Sequence, residues 1–219
     1  MATMSSRSWR GVTARYPSRL LPWIATAALL AGCSGPGADA PAPSRTPIAV
    51  GTVKAVAVVT HGSPGDAFWN VVKNGAEAAG KDLGVRVDYN ASGDPGQQAK
   101  LIDNAVAQGV DGLVVSMANP QALRPSVERA VAAGIPVVTI NSGESESAKF
   151  GAFVHVGQSE SLAGQAAGRR LAEAGRTKML CVIHEAGNIG ANERCAGATK
   201  AFGAAVTLQV DSQQSDRRA

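Results

Sequence analysis

The chain has 219 residues, 45% of them hydrophobic and 17% charged, with a formal net charge of +4. At roughly 100–200 residues per domain it holds one or two domains and enough apolar residues for a core. Its excess charge sits in Arg7, Arg10, Arg15 and Arg19, ahead of which and between which no acid occurs; without them the chain is neutral, so bulk electrostatics give no attraction for nucleic acid.

Those arginines precede an apolar run, "LLPWIATAALLAG", at residues 20–32. A basic segment followed by a short apolar one is expected to be a signal peptide covering residues 1–32, since the run is too short for a comfortable membrane span. The run ends Leu30-Ala31-Gly32-Cys33, which resembles the lipobox of bacterial lipoproteins. That resemblance implies lipidation of Cys33 and anchoring at the outer face of a membrane. No twin-arginine pair occurs in the basic segment ahead of the apolar run, so general export is the simpler route. Residues 33–52, with "SGPGADAPAPSRTP" at their centre, have no apolar period and are expected to be a flexible tether.

From Val53 the pattern alternates. Apolar, β-branched runs occur at 54–60, 85–90, 112–117, 136–141, 153–156 and 178–184. Most are separated by 12–18 residues of helical spacing, such as "WNVVKNGAEAAGKDL" and "QALRPSVERAVAAG". Alternating strand and helix predicts an α/β fold with a Rossmann-like parallel sheet and helices on both faces.

The turns differ by direction. Helix-to-strand turns are short and carry Gly84, Gly109 and Gly134, suited to a left-handed helix end. Strand-to-helix turns are polar: "HGSPGD", "NASGDP", "SMANP" and "NSGESES". Asp94-Pro95 and Asn119-Pro120 read as helix caps followed by proline, and Asp94 with Gln97 fits a capping box. Polar groups therefore gather at the carboxyl ends of the strands, where open α/β sheets bind ligands. Asn119 is one of the candidates there.

At the first of these turns stand Asp66, Phe68 and Trp69. Adjacent helical residues point about 100° apart, so both rings cannot share one buried stripe, and at least one is expected at the crevice or in solvent. Aromatic faces suit the C–H faces of a sugar, with a carboxylate or amide beside them for the hydroxyls. A dinucleotide site would need three glycines at fixed spacing, but Gly62 and Gly65 give only G-x-x-G with Pro64 between. His61, His155 and His184 are expected to be packing residues, with His184 beside Glu185 the least bland. "HGSPG" around Ser63 lacks the first glycine of a nucleophile elbow. Asn141 ends a strand, Gln158 opens a helix, and Arg194 offers a planar fork for vicinal hydroxyls. Cys181 and Cys195 are either a disulfide or two buried thiols. No spacing fits a zinc site, and neither metal nor cofactor is expected.

The stretches "AFWNVVKNGAEAAGKDLGV", "DPGQQAKLIDNAVAQGVDGLVVS", "AVAAGIPVVTINS", "VHVGQSESLAGQAAG" and "ERCAGATKAF" resemble the type I periplasmic sugar-binding proteins, of the ribose-binding type. The resemblance runs from about Lys54 to Phe202. It implies two lobes joined by a hinge, closing on a sugar or polyol and presenting it to the permease of an ABC importer, with no catalysed reaction. It places the stacking aromatics on Phe68 and Trp69 and a polar contact on Asp66. The acid that usually ends the fourth strand falls on Asn141, a common Ser-Asp is replaced at Gly157-Gln158, and the second-lobe arginine falls on Arg194. By the family pattern, residues 53–150 are expected to form the first lobe, 151–211 part of the second, and 212–219 a tail, the chain stopping short of a complete second lobe.

The function expected is thus a monomeric, exported, lipid-anchored solute-binding protein for a monosaccharide or polyol. Alternatives are a fragment without function, a sugar-sensing chemoreceptor-type protein, or an exported α/β enzyme dependent on His184 or Glu185. A sugar-responsive repressor would need a DNA-binding helical segment where the lipobox stands.

Overall fold

A computed structural model describes residues 53–63 and 65–209. The signal segment 1–32, the tether 33–52 with Cys33, Pro64 and the tail 212–219 lie outside the described residues.

Strands and helices alternate as the sequence pattern predicts: β1 Ala55–Thr60, α1 Ala67–Leu83, β2 Arg86–Ala91, α2 Pro95–Ala107, β3 Gly112–Ser116, α3 Pro120–Ala132 and β4 Val137–Ile140. There follow the short α4 Glu144–Ser147, a 3-10 turn at Ala148–Phe150, β5 Val154–Val156 and α5 Glu160–Glu173. The last elements are β6 Leu180–Ile183, α6 Ile189–Phe202 and β7 Val206–Gln209. The first five strands form one parallel sheet in the order β2-β1-β3-β4-β5. Strand order reverses between β1 and β3, which opens a crevice at their carboxyl ends.

The core follows from the two-residue period of the strands. Ala57 and Val59 of β1, Leu113 and Val115 of β3 and Val137 of β4 meet Ile102, Leu123, Val127, Ala130 and Phe150 on one face. The other face carries α1, which buries only Trp69 and Gly80 of its own residues. β5 belongs to this sheet, paired in parallel with β4. The first sheet therefore extends past the boundary drawn at residue 150 from sequence, because the 3-10 turn and the left-handed Gly151 return the chain to the β4 edge.

Turn chemistry accounts for the element ends. Gly84, Gly109 and Gly134 are left-handed, with φ of 67°, 68° and 78°. Asp94 Oδ1 accepts from the Gln97 N–H at 2.7 Å, as a cap should. Asn119 departs from its expected capping role. Its side chain makes no cap bond, its φ of −116° and ψ of 75° lie off the usual cap geometry, and its backbone carbonyl accepts from Ala122 and Leu123 instead.

Beyond β5, the strands β6 and β7 pair in parallel as a separate two-stranded sheet. α5 and α6 pack backbone to backbone. A methyl group on Gly164, Gly168 or Gly197 would enter the carbonyls of Arg194, Ala198 or Ser161. Only hydrogen fits at these contacts, so the two helices lie at the closest approach the chain allows. A disulfide between Cys181 and Cys195, with Cα atoms 5.8 Å apart, joins β6 to α6.

Candidate functional site

A crevice of about 260 Å³ lies where the carboxyl ends of β1, β4 and β6 meet the first turns of α1 and α6. Of the residues singled out in the sequence, Asp66, Phe68, Trp69, Asn141 and Arg194 line it, and both cysteines form part of its wall. Asn119 and Gln158 do not line it.

Asp66 is the N-cap of α1, and its Oδ1 accepts from the N–H groups of Phe68 at 2.8 Å and Trp69 at 3.2 Å. Those bonds fix the first helical turn and leave Oδ2 outside the cap. The aromatic pair divides as helical geometry requires: Trp69 is buried, while Phe68 is 56% exposed. Their rings meet edge to face at 5.1 Å, and Trp69 meets His61 in the same way at 4.8 Å. The indole lies on Gly62, where a Cβ would come within 2.5 Å of Trp69 Cγ. This glycine is therefore in the turn to admit a ring.

His61 is a buried residue held through Ser116. Its backbone N–H donates to Ser116 Oγ at 2.9 Å, and its Nδ1 lies 2.7 Å from the same oxygen. The hydroxyl has one proton and two lone pairs, so it holds the ring whichever imidazole nitrogen carries the proton. Nε2 faces Glu185 Oε2 at 3.7 Å. Burial pushes the His61 pKa below its ordinary value, against the opposing pull of Glu185 and Asp66 and with a smaller contribution from His184. Serine, histidine and glutamate thus stand in line, but Ser116 is completely buried and meets no solvent. A hydroxyl so enclosed cannot attack a bound substrate.

Asn141 has φ of 61°, the one positive value outside glycine among the described residues. Asparagine tolerates this left-handed geometry better than most side chains. Its N–H donates to Val156 O at 3.2 Å, so the strained residue is held between β4 and β5 at the crevice edge.

The far wall comes from the β6–α6 turn. Asn188 caps α6, its Oδ1 accepting from Gly190 and Ala191, while its Nδ2 donates to Glu185 Oε2 at 2.6 Å. Ser142 donates to the same Asn188 oxygen at 3.2 Å, and the Ile189 N–H donates to Ala118 O at 2.9 Å. This turn is therefore tied to the ends of β3 and β4. Asn188 opens the helical stretch in the sequence, so the capping preference was the signal that could have found it. Glu185 and Ser142 gave weaker signals.

Arg194 lines the crevice with its Nε donating to Glu160 Oε2. That carboxylate raises the pKa of the guanidinium, chiefly through the hydrogen bond. Gln158 Nε2 lies 3.3 Å from both Glu160 oxygens. The sequence reading put Gln158 at the ligand; the structure turns it towards Glu160 instead. Asn119 is likewise away from the crevice, its Oδ1 against Gly187. Among the described residues no group of three or more His, Cys, Asp or Glu is placed to hold a metal ion, and no helix is long and apolar enough to cross a membrane.

A doubly wound sheet with a polar, aromatic-edged crevice at the carboxyl ends of its strands has the architecture of a ligand-binding α/β protein. Residues 56–218 match the family described as periplasmic binding protein domain, and the chain belongs to that family. It is similar to the ABC transporter periplasmic-binding protein YphF of Escherichia coli K12, with 32% identity over 94 residues, 42% of this chain and 27% of that protein. It is also similar to the ribose import binding protein RbsB of Bacillus subtilis 168, with 35% identity over 75 residues, 34% of this chain and 25% of that one. Among solved structures, a carbohydrate transporter from Acidothermus cellulolyticus 11B in complex with myo-inositol superposes with a TM-score of 0.70 and 39% identity. The match covers 72% of this chain and 55% of that structure. The matches thus span about a quarter of the curated relatives and about half of the solved one.

Proposed function

We propose that the chain is an extracytoplasmic solute-binding lipoprotein that captures a monosaccharide or cyclic polyol for an ABC importer. The observation carrying this reading is the convergence of Phe68, Asp66, Asn141 and Arg194 on one crevice at the carboxyl edge of the strands. An exposed ring face, a carboxylate, an amide and a guanidinium match a ligand with one apolar face and several hydroxyls. The similarity to proteins named for ribose import and crystallised with myo-inositol supports the same class.

The residues up to about Val156 serve as the first lobe, and α5, β6, α6 and β7 belong to the second. A ligand seated between them favours the closed arrangement, which a membrane permease reads. No reaction is catalysed. Cys33 carries the lipid that holds the protein, as a monomer, at the outer face of the membrane.

Isothermal titration of the full chain with myo-inositol, D-ribose and D-arabinose tests the reading. At least one should bind, and Phe68→Ala should weaken it by roughly tenfold, the scale of a lost stacking and burial contribution. Heat released by none of a wider panel of neutral pentoses, hexoses and inositols would refute the sugar assignment. The anchor is tested separately: mass spectrometry should find a diacylglycerol-sized increment on Cys33, absent in Cys33→Ala.

A further inference from the structure

Glu160 was not among the residues picked from the sequence, and it does not line the crevice. It is nevertheless a carboxylate only 3% exposed, whereas its partner Arg194 is 51% exposed at the side chain. A carboxylate out of water is unfavourable unless its partners are well placed, so a buried acid at this helix start depends on the groups around it. Its surroundings are correspondingly rigid. Gly190, in the first turn of α6, lies so close that a Cβ there would be 3.3 Å from Glu160 Cγ and 2.7 Å from Ser142 Oγ. The glycine contacts of α5 with α6 fix one helix on the other. Immediately after Arg194, the disulfide at Cys195 ties the same turn to β6.

We propose that Glu160 is a positioning residue for ligand recognition: it holds Arg194 by Nε so that both terminal nitrogens of the guanidinium are presented to the crevice. Gln158, with its amide 3.3 Å from both carboxylate oxygens, steadies the acid in turn. A free arginine on a helix samples many rotamers and loses that freedom on binding; one clamped at Nε has already lost it. The guanidinium then acts as a fixed fork, its four remaining N–H donors set for adjacent ligand oxygens. This rests on the sugar-binding reading of the crevice.

The test is a double-mutant cycle in the full chain, using Glu160→Gln, Arg194→Lys and the pair. Lysine keeps a cation near Glu160 but has no Nε–H, which avoids stranding a buried acid. Affinity is measured by calorimetry for whichever of myo-inositol, D-ribose and D-arabinose the wild type binds. Glu160→Gln should weaken it by roughly tenfold in the wild type, the scale of one charge-assisted hydrogen bond, and by less than about twofold beside Arg194→Lys. Equal weakening in both backgrounds, or none in either, overturns the proposal and leaves Glu160 a structural ion pair. A second arm needs no ligand. The Arg194 Nε–H should give a sharp, slowly exchanging ¹⁵N resonance that collapses in Glu160→Gln; a resonance indifferent to that change overturns the clamp. If the wild type binds no sugar, the function proposed above fails, and the resonance still decides whether Glu160 fixes the arginine.

Discussion

Replacing Gly62 by alanine tests how the crevice is built. The added methyl would stand 2.5 Å from Trp69 Cγ, 2.7 Å from Cδ1 and 2.8 Å from Cβ. Carbon atoms rest at about 3.5–4.0 Å, so the indole must retreat by roughly 1 Å. Retreat is obstructed, because His61 and Phe68 meet the ring edge to face at 4.8 and 5.1 Å and the residue is only 6% exposed. Overpacking of this kind costs about 1–3 kcal/mol. At about 2–4 °C per kcal/mol for a chain of this size, the melting temperature should fall by about 2–12 °C. Thermal unfolding followed by far-ultraviolet circular dichroism measures the shift. In a chain already carrying Trp69→Leu, the smaller side chain leaves room for the methyl, so the same glycine change should cost less than half as much. An unchanged melting temperature in Gly62→Ala, or an equal loss in both backgrounds, would refute the seating of the indole on Gly62.

Acid should destabilise the fold before its carboxylates titrate. Burial lowers the pKa of His61, and mainly burial lowers that of His155, from ordinary values of 6.5. The unfolded chain takes up these protons near that pH while the folded chain resists, so stability is full above about 6.5 and declines as pH falls below it. Urea midpoints at pH 7.5, 6.0 and 5.0 should decrease in that order, and His61→Gln should flatten the decline; a flat wild-type profile contradicts the burial account. Reduction of the disulfide, which closes a 14-residue separation, should lower the urea-derived stability by about 2–4 kcal/mol. An unchanged midpoint, with reduction verified by mass, would show that Cys181 and Cys195 do not hold β6 to α6.

The parts of the molecule readable from sequence were those set by local rules. Proline after Asp94, glycine at 84, 109 and 134, and short β-branched runs of four to seven residues marked the alternation, because each acts within one turn or one strand. The divergence of Phe68 and Trp69 was legible for the same reason, since 100° per residue forbids a shared stripe. Which ring was buried was not, because that depends on Gly62 lying beneath it in space. Asn141 was placed at the crevice, but its left-handed backbone arises from the β4–β5 junction and leaves no pattern in composition. Gln158 and Glu160 show the sharper limit. Two polar residues at a helix start look equivalent in sequence, yet the close approach of α6 buries the second and turns the first towards it. Hydropathy expects a glutamate in solvent and has no means of seeing the arginine 34 residues on that meets it.

The glycines between α5 and α6 also decide how this protein can change over generations. Side-chain exchange usually lets a helix contact drift by small steps, one methyl traded for another. At Gly164, Gly168 and Gly197 the first step is already closed, because the neighbour is a carbonyl that cannot move aside without its helix. Mutational drift is thereby diverted to positions that border open space, among them the exposed Phe68. A lineage with this pair of helices keeps its frame constant while the exposed side chains around it are free to vary.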